Sequence, residues 1–246
     1  MIVFILDRFL VEWIDQSHMM RSEIEGQRII NWLDYSSLNT WIENTRFVPF
    51  KCPLRWSILR NINKQDRFSL NDLIEHLENQ GRKIGLIIDL TDTYRYYDCR
   101  DVEDMGIEYC KIRVPGHQDV SDKIFHKFVH VVNTFLRDNR QNNNLIGIHC
   151  THGINRSGYF IVRYLIEILG QQPDDAIGAF NRARGHTIEK NIDDLRKRKS
   201  MNAPSSSSDQ EDDDYYIERD RPLPYSRPST NPTLNDVSSE TSEILV

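Results

Sequence analysis

LIGIHCTHGINRSGYF, Leu145 to Phe160, is the stretch that decides the fold. LIGIHC is short, apolar and partly β-branched, as a buried strand should be. YFIVRYLIEIL, directly after the loop, carries apolar residues at helical spacing. Between them run Cys150, Thr151, His152, Gly153, Ile154, Asn155 and Arg156. A loop wound between a strand and a helix N-terminus can aim successive backbone N–H groups, here Thr151 to Arg156, into one concavity that binds an anion. Gly153 allows the tight path.

The same field favours a thiolate at Cys150, because a helix N-terminus and a nearby guanidinium both stabilise negative charge. Arg156 offers a planar fork for two phosphate oxygens and for charge that develops in the transition state. Ser157 stands where it can hydrogen-bond the departing thiolate, and His149 where it can orient the loop. The chemistry implied is phosphoryl transfer to sulfur followed by hydrolysis of a phosphocysteine, which requires no metal and no cofactor. A metal site built on His149, Cys150 and His152 is disfavoured, because adjacent side chains on a strand point to opposite faces.

Outward from this stretch, strands alternate with helices. KIGLIIDLT (Lys83 to Thr91) and EYCKIRV (Glu108 to Val114) read as two more buried strands. SLNDLIEHLENQ begins at a Ser suited to capping. SDKIFHKFVHVVNTFLRD places Ile124, Phe128, Val131 or Val132, and Phe135 at helical spacing, and Pro173 opens a further helix at PDDAIGAFNRA. This order predicts an α/β fold with a mainly parallel central sheet flanked by helices. In such sheets ligands collect outside the carboxyl ends of the strands, where Cys150 stands.

The chain of 246 residues carries a formal charge of −6. From Ser200 onward ten acidic residues face three basic ones, so residues 1–199 stand at +1. That tail is rich in Ser, Pro and Asp and is expected to be disordered. Residues 1–30 form an N-terminal extension, in which IVFILDRFLVEWI could pack as a helix, 31–199 the catalytic domain and 200–246 the tail. Four scattered cysteines with no C-x-x-C pair suggest reduced thiols rather than a disulfide framework or zinc ribbon. No stretch reaches membrane-spanning length and no secretory signal is evident, so an intracellular monomer is expected. The run Arg196-Lys197-Arg198-Lys199 reads equally as a solvated helix end and as a nuclear-import signal.

His149-Cys150-x5-Arg156-Ser157-Gly158 resembles the signature of the cysteine-dependent phosphatases. HCTHGINRSG, together with RFVPFKCPL, GLIIDLTDTYRYYD, the GHQ after the third strand, VRYLIEILG and DDAIGAFNRARGH, is similar to the RNA 5′-triphosphatase branch of the dual-specificity phosphatases. That branch includes capping-enzyme triphosphatase domains and RNA/ribonucleoprotein-interacting phosphatases. The resemblance runs from about Trp32 to Arg196. It implies the cysteine-phosphatase fold, 5′-triphosphorylated RNA as substrate, and loss of the γ and then β phosphate to leave a monophosphate. It also raises Arg95 and Arg184 as cations for the distal phosphates; Arg182 is a further candidate from the sequence, and Tyr96 and Tyr97 read equally as stacking partners for the first nucleotide and as core aromatics. RNA-processing or small-RNA proteins are the partners it suggests for the tail, and the nucleus, with some cytoplasmic residence, the location.

A phosphotyrosine or phosphoserine phosphatase must protonate a poor leaving group, usually with a loop Asp. Here the matching loop reads RVPGHQDVSDK: Gly116-His117-Gln118 stands where that Asp is sought, with Asp119 and Asp122 nearby. An RNA diphosphate leaves without such help, because the second ionisation of a phosphate lies near pH 6. Two rivals share the loop: a dual-specificity protein phosphatase, and a non-catalytic phosphate-binding module that recruits partners through the tail.

Overall fold

The computed structural model describes residues 31–116 and 120–201. Four strands form one sheet: β1 (Phe47–Lys51), β2 (Ile84–Asp89), β3 (Glu108–Lys111) and β4 (Leu145–Cys150), in the order β1-β4-β2-β3, with every neighbouring pair parallel. Parallel pairing demands crossovers, and helices supply them. In chain order these are α1 (Trp56–Leu59), α2 (Leu70–Glu78), α3 (Cys99–Glu103), α4 (Asp122–Asp138), α5 (Asn155–Glu167), α6 (Pro173–Arg184) and α7 (Ile192–Lys197).

Strand alternation sends successive residues to two cores. Phe47, Leu86, Ile88, Ile146, Ile148 and Cys150 face α4 to α7, while Val48, Phe50, Ile84, Ile87 and Leu145 face α2, α3 and Trp32. Cys150 and His149 therefore lie on opposite faces of the same strand. α5 is buried from Ser157 to Glu167 without interruption. It is the central helix of its layer rather than the one-sided helix its spacing suggests.

β1 carries Pro49, a residue that reads against a strand. It is tolerated because β1 is an edge, and because the N–H of Lys51 points outward to the Ser37 carbonyl. Two-residue periodicity puts the missing donor of Pro49 on that same outer side. The helix starts follow their sequence signals. Ser69 caps α2 in a reciprocal pair with Asp72, and the Ser121 hydroxyl accepts from the Ile124 N–H at α4. In α4 the buried line is Phe125, Phe128, Val132 and Phe135, so Phe125 takes the place expected for Ile124. α6 opens on Pro173 and ends at Gly185, whose φ of +74° is the left-handed stop that glycine supplies.

Each strand ends on a chemically useful residue: Lys51, Asp89, Lys111 and Cys150. Register places Lys51 beside Cys150 and Asp89 beside both His149 and Lys111. Among the described residues no helix is long and apolar enough to cross a membrane. The readings made for residues 1–30, for His117, Gln118 and Asp119, and for the tail lie outside the described residues.

Candidate active site

Cys150 closes β4 and α5 begins five residues later, so the intervening loop must reverse the chain in very few steps. Gly153 makes the turn with φ +68°. A side chain could not stand there, because a Cβ would lie 2.1 Å from the Phe50 carbonyl oxygen. The backbone N–H groups of His152, Gly153, Ile154, Asn155 and Arg156 find no oxygen acceptor among the described residues. Such orphan donors at a helix start form an anion cradle.

Cys150 sits at the floor of this cradle, 4% exposed. Burial pushes its thiol up, but the Arg156 guanidinium, the Ser157 hydroxyl and the N–H groups of Ser157 and Gly153 outweigh it and bring the pKa below the ordinary value. The Ser157 hydroxyl has no oxygen or nitrogen partner and faces the sulfur. Arg156 is fixed from behind: Nη1 donates to the carbonyls of Leu90 (3.1 Å) and Val114 (2.9 Å), and Nη2 to Thr151 Oγ1 (3.2 Å). A guanidinium clamped at three points is pre-organised for phosphate.

Beneath the loop His149 is fully buried, and desolvation holds its pKa below the usual imidazole value. Its Nδ1 lies 3.2 Å from the Cys150 carbonyl, which only accepts, so Nδ1 carries the proton. Nε2 then accepts from the Tyr97 hydroxyl at 2.7 Å. Behind Tyr97, Asp89 Oδ2 accepts from Tyr109 (3.0 Å) and Lys111 (2.8 Å), and Oδ1 from the Thr91 N–H (2.7 Å). Burial opposes ionisation of Asp89, yet the charge and hydrogen bond of Lys111 and the Thr91 N–H keep its carboxyl below the usual range. None of Asp89, Tyr109 and Lys111 was singled out from the sequence. The available signal was their place at or near strand ends.

The remaining loop side chains turn away from the cradle. Asn155 Oδ1 accepts from the N–H groups of Glu189 (2.9 Å) and Lys190 (3.1 Å), and its Nδ2 donates to Glu189 Oε2. His152 stacks on Tyr35 with ring centroids 4.9 Å apart, and Ile154 is buried. Thr151, besides holding Arg156, accepts the Cys52 N–H on its carbonyl at 3.1 Å. What His152, Ile154 and Asn155 offer an anion is their backbone N–H groups.

Arg184 corrects the expectation of a distal-phosphate cation. It is 0% exposed, and its guanidinium donates to the carbonyls of Gly153 (3.2 Å), His152 (2.9 Å) and Ser36 (2.7 Å) and to the Ser36 hydroxyl (3.0 Å). Burial lowers its pKa to about 10. It clamps the outer side of the loop to the segment before β1, because a buried cation must spend its donors on oxygen. Lys51 does the same work nearby, donating to the Tyr35 carbonyl at 2.8 Å over the Trp32 ring, with burial drawing its amine down to about 8. Arg184→Met is therefore expected to lower kcat/KM on a small aryl phosphate and on RNA alike, and to cost about 2–4 kcal/mol in urea denaturation. A loss confined to RNA would restore the distal-phosphate role.

Arg95 lies in the loop after β2, half-buried, with its Nε on Thr93 Oγ1 at 3.1 Å. Of the two readings of Tyr96 and Tyr97, nucleotide stacking and core packing, the structure has the second: they are 9% and 7% exposed and belong to the core. Arg182 contributes its carbonyl to Asn39 Nδ2 at 3.0 Å. In the basic run, Arg196 pairs with Asp174 at 2.9 Å, and Arg198 with Asp194 at 3.1 Å and Glu167 at 3.3 Å. Two of its four cations are thus held in ion pairs of the fold.

Asp122, one of two candidate acids, is bound by Arg163 at 2.6 Å; that hydrogen bond lowers its pKa despite some burial. That ion pair works against Asp122 as a proton donor. Asp122→Asn is expected to leave kcat on any phosphate substrate within about threefold of the parent, against the hundredfold or greater loss that removing a general acid brings.

The family model described as "Dual specificity phosphatase, catalytic domain" matches residues 64–198, more than half of the chain. The chain belongs to the dual-specificity phosphatase family. Human RNA/RNP complex-1-interacting phosphatase is 44% identical to it over 193 residues, 76% of this chain and 58% of that protein. The RNA/RNP complex-1-interacting phosphatase homolog of Caenorhabditis elegans is 38% identical, covering 68% of this chain and 73% of its own. A tyrosine-protein phosphatase of Autographa californica nuclear polyhedrosis virus is 37% identical over 65% of this chain and 92% of its own. Within the family the chain falls in the RNA/RNP-interacting group. It spans 50–58% of the length of the four mammalian relatives of that name.

The phosphatase is cysteine-based, and its geometry supplies each requirement of that chemistry. The arrangement can do this with a phosphate in the cradle: the Cys150 sulfur is placed to attack phosphorus as the P–O bond to the leaving group breaks, with Arg156 and the N–H groups of His152, Ile154, Asn155 and Arg156 available to the equatorial oxygens. Water can then displace the sulfur, with the Ser157 hydroxyl and the N–H groups of Gly153 and Ser157 placed to receive the thiolate.

Proposed function

We propose that the phosphatase is an RNA 5′-triphosphatase and diphosphatase, removing the γ and then the β phosphate from 5′-triphosphorylated RNA to leave a 5′ monophosphate. The observation that carries this reading is the state of the carboxylates around the loop. Among the described residues Asp89 is bonded to Lys111, Asp92 to Arg113 at 2.9 Å and Asp122 to Arg163, so each of these carboxylates is paired with a cation; Asp119, the other candidate acid, lies outside them. Ester cleavage needs a proton for its leaving group; anhydride cleavage at neutral pH does not. The group's name, which ties its members to an RNA/RNP complex, favours the same substrate.

Turnover is tested on RNA bearing a 5′ triphosphate beside a phosphotyrosine peptide, with a Cys150→Ser control. Accumulation of monophosphorylated RNA with the peptide nearly untouched is the expected result. A better rate on the peptide would assign the site to protein dephosphorylation. Binding without turnover of either would leave the non-catalytic module.

A further inference from the structure

With Tyr96 and Tyr97 in the core, the exposed aromatics among the described residues are Trp56, 64% exposed, in the segment after β1, and Tyr94, 41% exposed, in the segment after β2. Trp56 opens α1 four residues beyond Cys52, whose N–H bonds the Thr151 carbonyl of the catalytic loop. Four residues span at most about 14 Å, which keeps Trp56 close to that contact. The Arg55 N–H donates to the Tyr96 carbonyl at 2.7 Å, so the segment bearing Trp56 lies against the one bearing Tyr94.

A cation lies over each ring. The Arg67 guanidinium lies 5.0 Å from the Trp56 centroid; Lys111 Nζ lies 4.8 Å from that of Tyr94 with its charge paired to Asp89 at 2.8 Å, so the positive field belongs to the segment that bears Trp56. From Arg55 to Arg67 the sequence holds four cations and a single acid, Asp66, in a body whose residues 1–199 total only +1. Arg55, Arg60 and Lys64 are exposed. Flat exposed rings set in a positive field are how proteins hold single-stranded nucleic acid, by stacking bases while cations follow the backbone.

We propose that Trp56 and Tyr94 form a stacking platform for the unpaired nucleotides next to the triphosphate, with Arg55, Arg60 and Lys64 along their phosphates. This rests on the RNA 5′-triphosphatase reading and adds to it a requirement for an unpaired 5′ end. Bases in a duplex already stack on each other and gain nothing from the platform.

Two measurements on the full chain separate the two ideas. In the first, Trp56→Ala raises KM about tenfold for an unpaired triphosphorylated RNA of about 12 nucleotides, leaves KM for a free nucleoside triphosphate unchanged, and is rescued by Trp56→Phe. An unchanged KM for that RNA, or an equal rise for the nucleoside triphosphate, overturns the platform. In the second, the Cys150→Ser chain binds a 5′-hydroxyl RNA of the same sequence, and Trp56→Ala weakens that binding about tenfold, more for the unpaired strand than for a blunt duplex. If this dependence holds while the parent chain with Cys150 intact leaves triphosphorylated RNA uncleaved, the hydrolytic reading fails and the platform stands. If binding ignores Trp56, the platform fails whatever the substrate.

Discussion

Cys150→Ser is expected to abolish turnover on every phosphate substrate, a fall on the order of 10⁶-fold, because a hydroxyl in this cradle stays protonated where the thiol ionises. The fold should survive, since the replacement fills nearly the same buried space at the end of β4. Phosphocysteine formation with a slow substrate, trapped by acid quench, should vanish with it. A variant keeping turnover within about a hundredfold of the parent would remove the covalent mechanism. The same thiolate sets the pH profile. Its pKa lies below the ordinary 9.0, so kcat/KM should climb with pH along a limb below that value and then flatten. Arg156→Met removes the largest of the influences that lower the thiol pKa and should move that limb to higher pH.

Arg156→Lys is expected to lower kcat by about 10²–10³-fold while keeping the charge. The guanidinium meets the Leu90 and Val114 carbonyls through one nitrogen and Thr151 through another, and the planar fork is what aligns it. An ammonium is a single point and cannot keep all three anchors while presenting two donors to phosphate. Because those oxygens crowd most in the transition state, the loss should fall on kcat more than on KM. A decrease under about tenfold would mean that charge alone suffices and the fork is dispensable.

The parts legible in the sequence share one property: they are local. β4 is continuous and apolar, Ser69 and Ser121 sit just ahead of their helices, and Pro173 and Gly185 mark the two ends of α6. β1 was not legible because Pro49 reads as a breaker, and only its place at the sheet edge makes it harmless. The tyrosines of TYRYYD could be named as a group but not divided. Facing the core or the solvent separates Tyr97, which serves His149, from Tyr94, which is 41% exposed. Arg184 shows the same limit at the site itself. Helical spacing puts it at the end of α6 and gives no hint that Ser36, 148 residues away, will absorb its donors.

The sequence by itself determined the nucleophile, its guanidinium and the loop between them, because an eight-residue stretch from Cys150 to Ser157 carries all the groups that must meet at one phosphorus. Only the tertiary structure decided what holds that loop in shape. His149 is oriented from 52 positions away, Arg156 is anchored from 66 and 42, and strand register sets Lys51 opposite Cys150. Such contacts follow from the order in which parallel strands pair, and no periodicity within a segment encodes that order.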